Sequence, residues 1–276
     1  MEGVPVARPV PLPNITTARL RADEILLPAG TRGAAWADLA RLIVWLVLLE
    51  LLAGAVLGIV GGFMLGPQDP GSDSADMELQ RVLLLPMLAV RAVGSTAIIA
   101  MILHHRRQSV GSVGLGRRGF TLNFLMGIGA VVAIYGLIAL TTPLLWLVWP
   151  QLWDQMEENA ERIVAMVPKL HPLGFVGLAA MIGVYEEVLF RGFLMTRLRR
   201  ATGNWAVAVL ISTVLFTALH ALDQTAAALV WITILSLVFS VVTIWRRSIV
   251  PAIVGHALFD LSQFLLLYVQ AGDSWT

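Results

Sequence analysis

The chain has 276 residues, of which 58% are hydrophobic and only 13% are charged, against about 45–50% and about 25% in an average soluble domain. This composition indicates a membrane protein, and a formal net charge of +1 with cations scattered along the chain argues against nucleic-acid binding. The sequence contains no cysteine, which excludes disulfides, thiolate metal sites and cysteine nucleophiles.

The chain begins with a segment that contains prolines and charges, and it continues with long apolar runs. Residues 1–35 lack the basic-then-apolar order of a cleavable signal peptide, so we expect a flexible cytoplasmic tail there. About 20 helical residues cross the core of a bilayer. The predicted fold is therefore all-α, a polytopic transmembrane helix bundle of about seven spans that forms one membrane domain over residues 36–276. The predicted spans are Leu42–Leu65, Val82–Leu103, Thr121–Trp149, Leu173–Met195, Trp205–Leu222, Ala226–Trp245 and Ser248–Val269.

The orientation is predicted from the connections that carry arginine, because short cytoplasmic loops retain positive charge. Arginines cluster in alternate connections, whereas the connections between them are rich in acids. The arginines that follow the tail lie at Arg106, Arg107, Arg117, Arg118, Arg197, Arg199, Arg200, Arg246 and Arg247. We expect an integral, multi-pass protein of a bacterial cell membrane, with a cytoplasmic amino terminus and an external carboxyl terminus.

Two features of the first half have a structural interpretation. Arg91 in the second predicted span can reach Glu50 in the first, and a structural ion pair is preferred over a transport role. The segment 150–170 interleaves apolar residues with acids, which predicts an amphipathic helix along the outer surface of the membrane.

The fourth predicted span contains the stretch VYEEVLFRGFL, which places three charges among apolar residues. Glu186 is about 14 Å from the predicted cytoplasmic end at 1.5 Å per residue, and an ionisable group at that depth costs about 2.5–3.5 kcal/mol and indicates function. Glu187 and Arg191 are four residues apart and share a helix face, while Glu186 points about 100° away. We expect Arg191 to neutralise Glu187 and to leave Glu186 free. The alternative is that all three charges form a buried structural network.

Three more polar groups lie at membrane depth farther along the chain. The stretch FTALH ends the fifth span at His220, and HALFD in the last span sets His256 and Asp260 one turn apart. The three groups and Glu186 differ in predicted depth by about 10 Å, which tilt and side-chain length can absorb. A carboxylate and an imidazole can hold and deprotonate a water, and further His or Asp groups can bind a divalent metal or stabilise an oxyanion. Hydrolysis within the membrane is the predicted chemistry.

The order E-E-x-x-x-R, F-x-x-x-H and H-x-x-x-D resembles the CPBP (or ABI) family, named for CAAX proteases and bacteriocin-processing enzymes. The resemblance covers residues 173–269, the predicted catalytic core, and implies an all-α intramembrane protease. It implies that Glu186 and His220 activate water, with Glu187 and Arg191 beside them. It also implies that His256 and Asp260 stabilise the oxyanion or bind a metal. In the metalloprotease alternative, His220, His256 and Asp260 supply three ligands, the number found in catalytic zinc sites, and Glu186 is the base or a fourth ligand. Prenyl-processing members have asparagine at the position of Asp260.

We therefore predict an intramembrane endopeptidase that cleaves a membrane-associated protein or peptide, with that substrate and the lipid bilayer as partners and with no nucleic acid. The cofactor is either none, which we prefer, or a divalent metal. One alternative is a catalytically silent scaffold or immunity protein, against which the complete motif set argues. The other is a proton-coupled transporter, which would have paired helices broken by Gly or Pro in corresponding halves.

Overall fold

The computed structural model describes residues 31–65, 73–116 and 119–271, which form nine α-helices and no strand. The helices are α1 Arg32–Leu65, α2 Asp73–His105, α3 Phe120–Val148, α4 Leu152–Met166, α5 Pro172–Glu187, α6 Met195–Thr202, α7 Trp205–His220, α8 Ala226–Arg246 and α9 Val250–Ala271. A π-helical segment, Val188–Leu194, joins α5 to α6 without a break, and a 3₁₀ turn, Val110–Val113, lies between α2 and α3. The all-α fold is confirmed.

About seven spans are present. Among the described residues, six helical runs are long and apolar enough to cross a membrane, and the shorter apolar helix α7 is the seventh. α1 begins at Arg32, ten residues earlier than the predicted span, and residues 1–30 of the predicted tail lie outside the described residues. The fourth span continues past Met195 to Thr202, because the π segment and α6 prolong it. Glu186 thus lies close to the middle of a 31-residue helical run.

The last helix, α9, packs against α3, α5 and α8 at points where glycine allows the backbones to approach. A Cβ at Gly183 of α5 would lie 2.9 Å from the backbone nitrogen of Ala257. A Cβ at Gly255 of α9 would lie 2.7 Å from the Phe239 ring, and one at Gly127 of α3 would lie 2.8 Å from a carbonyl of α9. Small residues at helix contacts are typical of membrane bundles, and here they hold α9 close to the helix that carries the two glutamates.

The first two spans are joined by the predicted ion pair. Arg91 donates from Nε and Nη2 to the carboxylate of Glu50, with the shortest distances at 2.9 Å. Both side chains are about half-buried. The prediction of a structural pair between α1 and α2 is confirmed.

Side-chain hydroxyls of α6 and α7 bond backbone carbonyls of the π segment. Thr196 donates to the carbonyl of Gly192 at 2.7 Å and to that of Phe193 at 2.9 Å. Ser212 of α7 donates to the carbonyl of Phe190 at 3.4 Å. The Phe190 carbonyl also accepts the backbone N–H of Met195, as expected in a π turn.

α4 is the amphipathic helix predicted for residues 150–170, and it is bonded to the start of α8. The Asn159 side chain accepts from the backbone N–H of Thr225 at 2.9 Å, and the Gln155 side chain accepts from that of Ala227 at 3.1 Å. These bonds satisfy donors that a helix start leaves without intrahelical partners. α4 therefore fixes the turn that follows His220.

Candidate active site

Glu187 is the centre of the site and is fully buried. Its Oε1 accepts a hydrogen bond from Nη1 of Arg191 at 2.6 Å and a second from Nδ1 of His256 at 2.8 Å. The predicted pairing of Glu187 with Arg191 is confirmed. The bond to His256 was not predicted, because the helical spacing of four residues describes contacts within one helix and gives no information about a contact between α5 and α9.

Arg191 is also fully buried, and aromatic rings surround it. Its guanidinium carbon lies 4.5 Å from the centre of the Phe216 ring and 5.9 Å from that of Phe239. Nε and Nη2 have no hydrogen-bond partner among the described residues. Arg191 is therefore stabilised by one carboxylate and by two ring faces, which attract a cation most strongly when it is desolvated.

Glu186 is buried, and its two carboxylate oxygens have different surroundings. Oε1 accepts a hydrogen bond from the hydroxyl of Tyr185 at 3.0 Å. Oε2 has no hydrogen-bond partner among the described residues and lies 3.8 Å from Nε2 of His256. Arg191 pairs with Glu187 and does not bond to Glu186, as predicted.

His256 lies between the carboxyl groups and has a defined orientation. An ionised carboxylate only accepts hydrogen bonds, so Nδ1 carries the proton that is donated to Glu187. Nε2 then points to Glu186 and to Asp260, whose Oδ2 is 3.6 Å away. The ring also stacks on Phe239 with 5.7 Å between ring centres. Nε2 and the two carboxylates that it faces are all acceptors when Nδ1 carries the only proton of the ring. A hydrogen bond among these three groups therefore requires that one of them be protonated.

His220 is half-buried at the end of α7 and is oriented by the backbone of its own helix. Its Nδ1 lies 2.8 Å from the carbonyl oxygen of Phe216, which can only accept, so Nδ1 is the protonated nitrogen. Nε2 of the neutral ring is then left as an acceptor. The Phe216 ring lies beside both histidines, with its centre 4.7 Å from that of His220 and 6.1 Å from that of His256.

The donor set does not form a ready metal centre. In the part of the chain that the structure describes, no group of three or more His, Asp or Glu side chains is arranged to hold a metal ion. His220, His256 and Asp260 therefore do not converge as three ligands among the described residues.

One of the comparisons with known proteins finds a match in the half of the chain that contains these residues. The family model described as type II CAAX prenyl endopeptidase Rce1-like matches residues 168–262, about a third of the chain. The match includes every residue of the three motifs, and it confirms the resemblance that those motifs carry. No curated protein and no solved structure matches the chain. The family is one of proteases, so the match supports peptidase activity in an integral, multi-pass membrane protein.

Proposed function

We propose that this protein is an intramembrane endopeptidase that hydrolyses a peptide bond of a membrane-associated protein or peptide. The observation that carries the proposal is the carboxylate of Glu186, which lies in the middle of a membrane-spanning run with Oε2 free of hydrogen bonds among the described residues. A buried acceptor without a partner is costly. Its persistence beside two histidines and a further acid is explained by a water or a substrate that bonds there.

In the proposed reaction, Oε2 of Glu186 accepts a proton from a water molecule while the water oxygen attacks the carbonyl carbon of the substrate. Nε2 of His220 accepts the second hydrogen bond of that water and orients it. The tetrahedral intermediate then expels the amine, which takes the proton from Glu186 as the C–N bond breaks. The products are a carboxylic acid and an amine, so all atoms and protons are accounted for.

His256 and Asp260 face the space beside Glu186 and are proposed to bond the oxyanion of the intermediate. Either group can donate a hydrogen bond only when protonated, from Nε2 or from Oδ2. Glu187 fixes the direction of Nε2 by accepting from Nδ1 at 2.8 Å, and Arg191 fixes Glu187 at 2.6 Å. We favour this metal-free arrangement because the His, Asp and Glu side chains of the described residues are not arranged to hold a metal ion.

A comparison of whole proteomes tests the proposal and identifies the substrate in the same experiment. Cells that lack the native chain would be complemented with the native protein, with Glu186→Gln, or with the control Glu157→Gln, which changes an exposed acid on α4. We expect an uncleaved membrane-associated protein to accumulate with Glu186→Gln alone. Cleavage of that protein at the native rate by purified Glu186→Gln would reject Glu186 as the base. Proteomes that are alike in all three strains and in the uncomplemented cells would favour a silent scaffold.

A further inference from the structure

Tyr185 is the residue before the two glutamates, and no motif includes it. Its side chain is buried, and its hydroxyl lies 3.0 Å from Oε1 of Glu186. Because an ionised carboxylate has only acceptors, the phenol must be the donor. The ring forms part of the wall of an apolar cleft between α2 and α5, together with Ala92 and Met181.

The carboxylate of a glutamate is not oriented by its own torsions. The last side-chain torsion joins an sp³ to an sp² carbon and has a broad, roughly two-fold profile. Packing alone therefore does not decide which oxygen of Glu186 faces His256. The bond from Tyr185 holds Oε1, and this leaves Oε2 directed toward Nε2 of His256 at 3.8 Å.

We propose that Tyr185 is a positioning residue that fixes the plane of the Glu186 carboxylate so that Oε2 is presented to the attacking water. This inference rests on the proposed function, because it takes Glu186 as the base. In the alternative, Tyr185 has a purely structural role, and its bond to Glu186 only gives a buried hydroxyl an acceptor. The two differ in their consequence: only the positioning role ties the rate of the chemical step to the hydroxyl.

The first measurement is independent of any substrate. The purified protein is labelled with ¹³C-glutamate, and its infrared spectrum is recorded for the native chain and for Glu186→Gln. The difference between the two spectra isolates the carboxylate bands of Glu186. Tyr185→Phe should shift these bands because it removes the hydroxyl and keeps the ring in the cleft wall. Tyr135→Phe is the matched control, since its hydroxyl bonds to Ser262 and Gln263 between α3 and α9, and it should leave the bands in place.

The second measurement uses the protein that accumulates with Glu186→Gln as the substrate. Loss of a hydrogen bond to a charged group should lower kcat of Tyr185→Phe by about 10- to 100-fold, with KM unchanged because the ring remains. Tyr135→Phe should keep the native kcat. An unchanged carboxylate band, or a shifted band with native kcat, would overturn the positioning role. Full activity of Glu186→Gln would instead reject Glu186 as the base, and the positioning role with it. The two failures are distinguishable, because a failure of the positioning role alone leaves Glu186→Gln inactive.

Discussion

Breaking the buried pair between Glu187 and Arg191 should destabilise the protein strongly. Both side chains are fully buried and their charged atoms are 2.6 Å apart. Glu187→Gln leaves the Arg191 guanidinium with two ring faces and no carboxylate, and removing one partner of such a pair costs about 3–5 kcal/mol. We therefore expect Glu187→Gln to lower the free energy of unfolding by about 3–5 kcal/mol.

Replacing Arg191 should lower the free energy of unfolding by less than replacing Glu187, because the two partners have different neighbours. In Arg191→Met, Glu187 keeps the hydrogen bond from Nδ1 of His256 at 2.8 Å. The double variant should therefore be close in stability to Arg191→Met and far from the sum of the two single losses, since it contains no uncompensated guanidinium.

Reversible unfolding in mixed micelles, followed by far-UV circular dichroism and by the fluorescence of the nine tryptophans, measures these free energies. Glu158→Gln is the control, because Glu158 and Arg162 on α4 have the same spacing at 2.5 Å but about half of each side chain is exposed. An exposed pair contributes about 0–1 kcal/mol. Equal losses for Glu187→Gln and Glu158→Gln, or additive losses in the double variant, would refute the assignment of Arg191 as a buried charge that depends on Glu187.

Three further outcomes are expected. Asp260→Asn should retain or improve cleavage if the position donates a hydrogen bond to the oxyanion, whereas a stoichiometric bound zinc that is lost together with activity would establish a ligand role. Gly192→Ala should lower both stability and cleavage, because the added Cβ would lie 2.9 Å from the carbonyl of Val113; a variant with native melting behaviour would contradict the tight contact. A reporter fused after Arg200 should be cytoplasmic and one after Thr276 external, and finding both on one side would mean that the spans between them are miscounted.

The span positions could be predicted from the sequence because they depend on length and apolar composition alone. The structure places α8 at Ala226–Arg246, within one residue of the predicted Ala226–Trp245. The ion pair between Glu50 and Arg91 was predictable for a similar reason, since an isolated charge in an apolar span needs a partner and few are available. Composition therefore predicted the spans and this contact between them.

The inner geometry of the site could not be predicted in the same way. The bond from His256 to Glu187 depends on the close approach of α9 to α5 at Gly183, and spacing within one helix carries no information about it. The bond from Tyr185 to Glu186 joins adjacent residues, yet helix geometry places their side chains about 100° apart. The sequence did contain a signal for this bond: a tyrosine within an apolar span needs an acceptor for its hydroxyl, and the nearest acid is the next residue.

Three arginines that were predicted for a cytoplasmic connection, Arg197, Arg199 and Arg200, lie in helix α6 instead. Arg197 was expected in a cytoplasmic connection, but it is fully buried, lies 4.1 Å from the centre of the Phe193 ring and donates to Gln108 at 2.7 Å. A π-helical turn holds one more residue than an α-helical turn, so the residues after Leu194 are rotated relative to a regular continuation of α5. The carbonyl of Phe190 accepts the backbone N–H of Met195 within the π turn and also a bond from Ser212 of α7. Length and apolar composition predict a span but contain no signal for such a turn, so the side of the helix on which Arg197 lies could not be predicted from them.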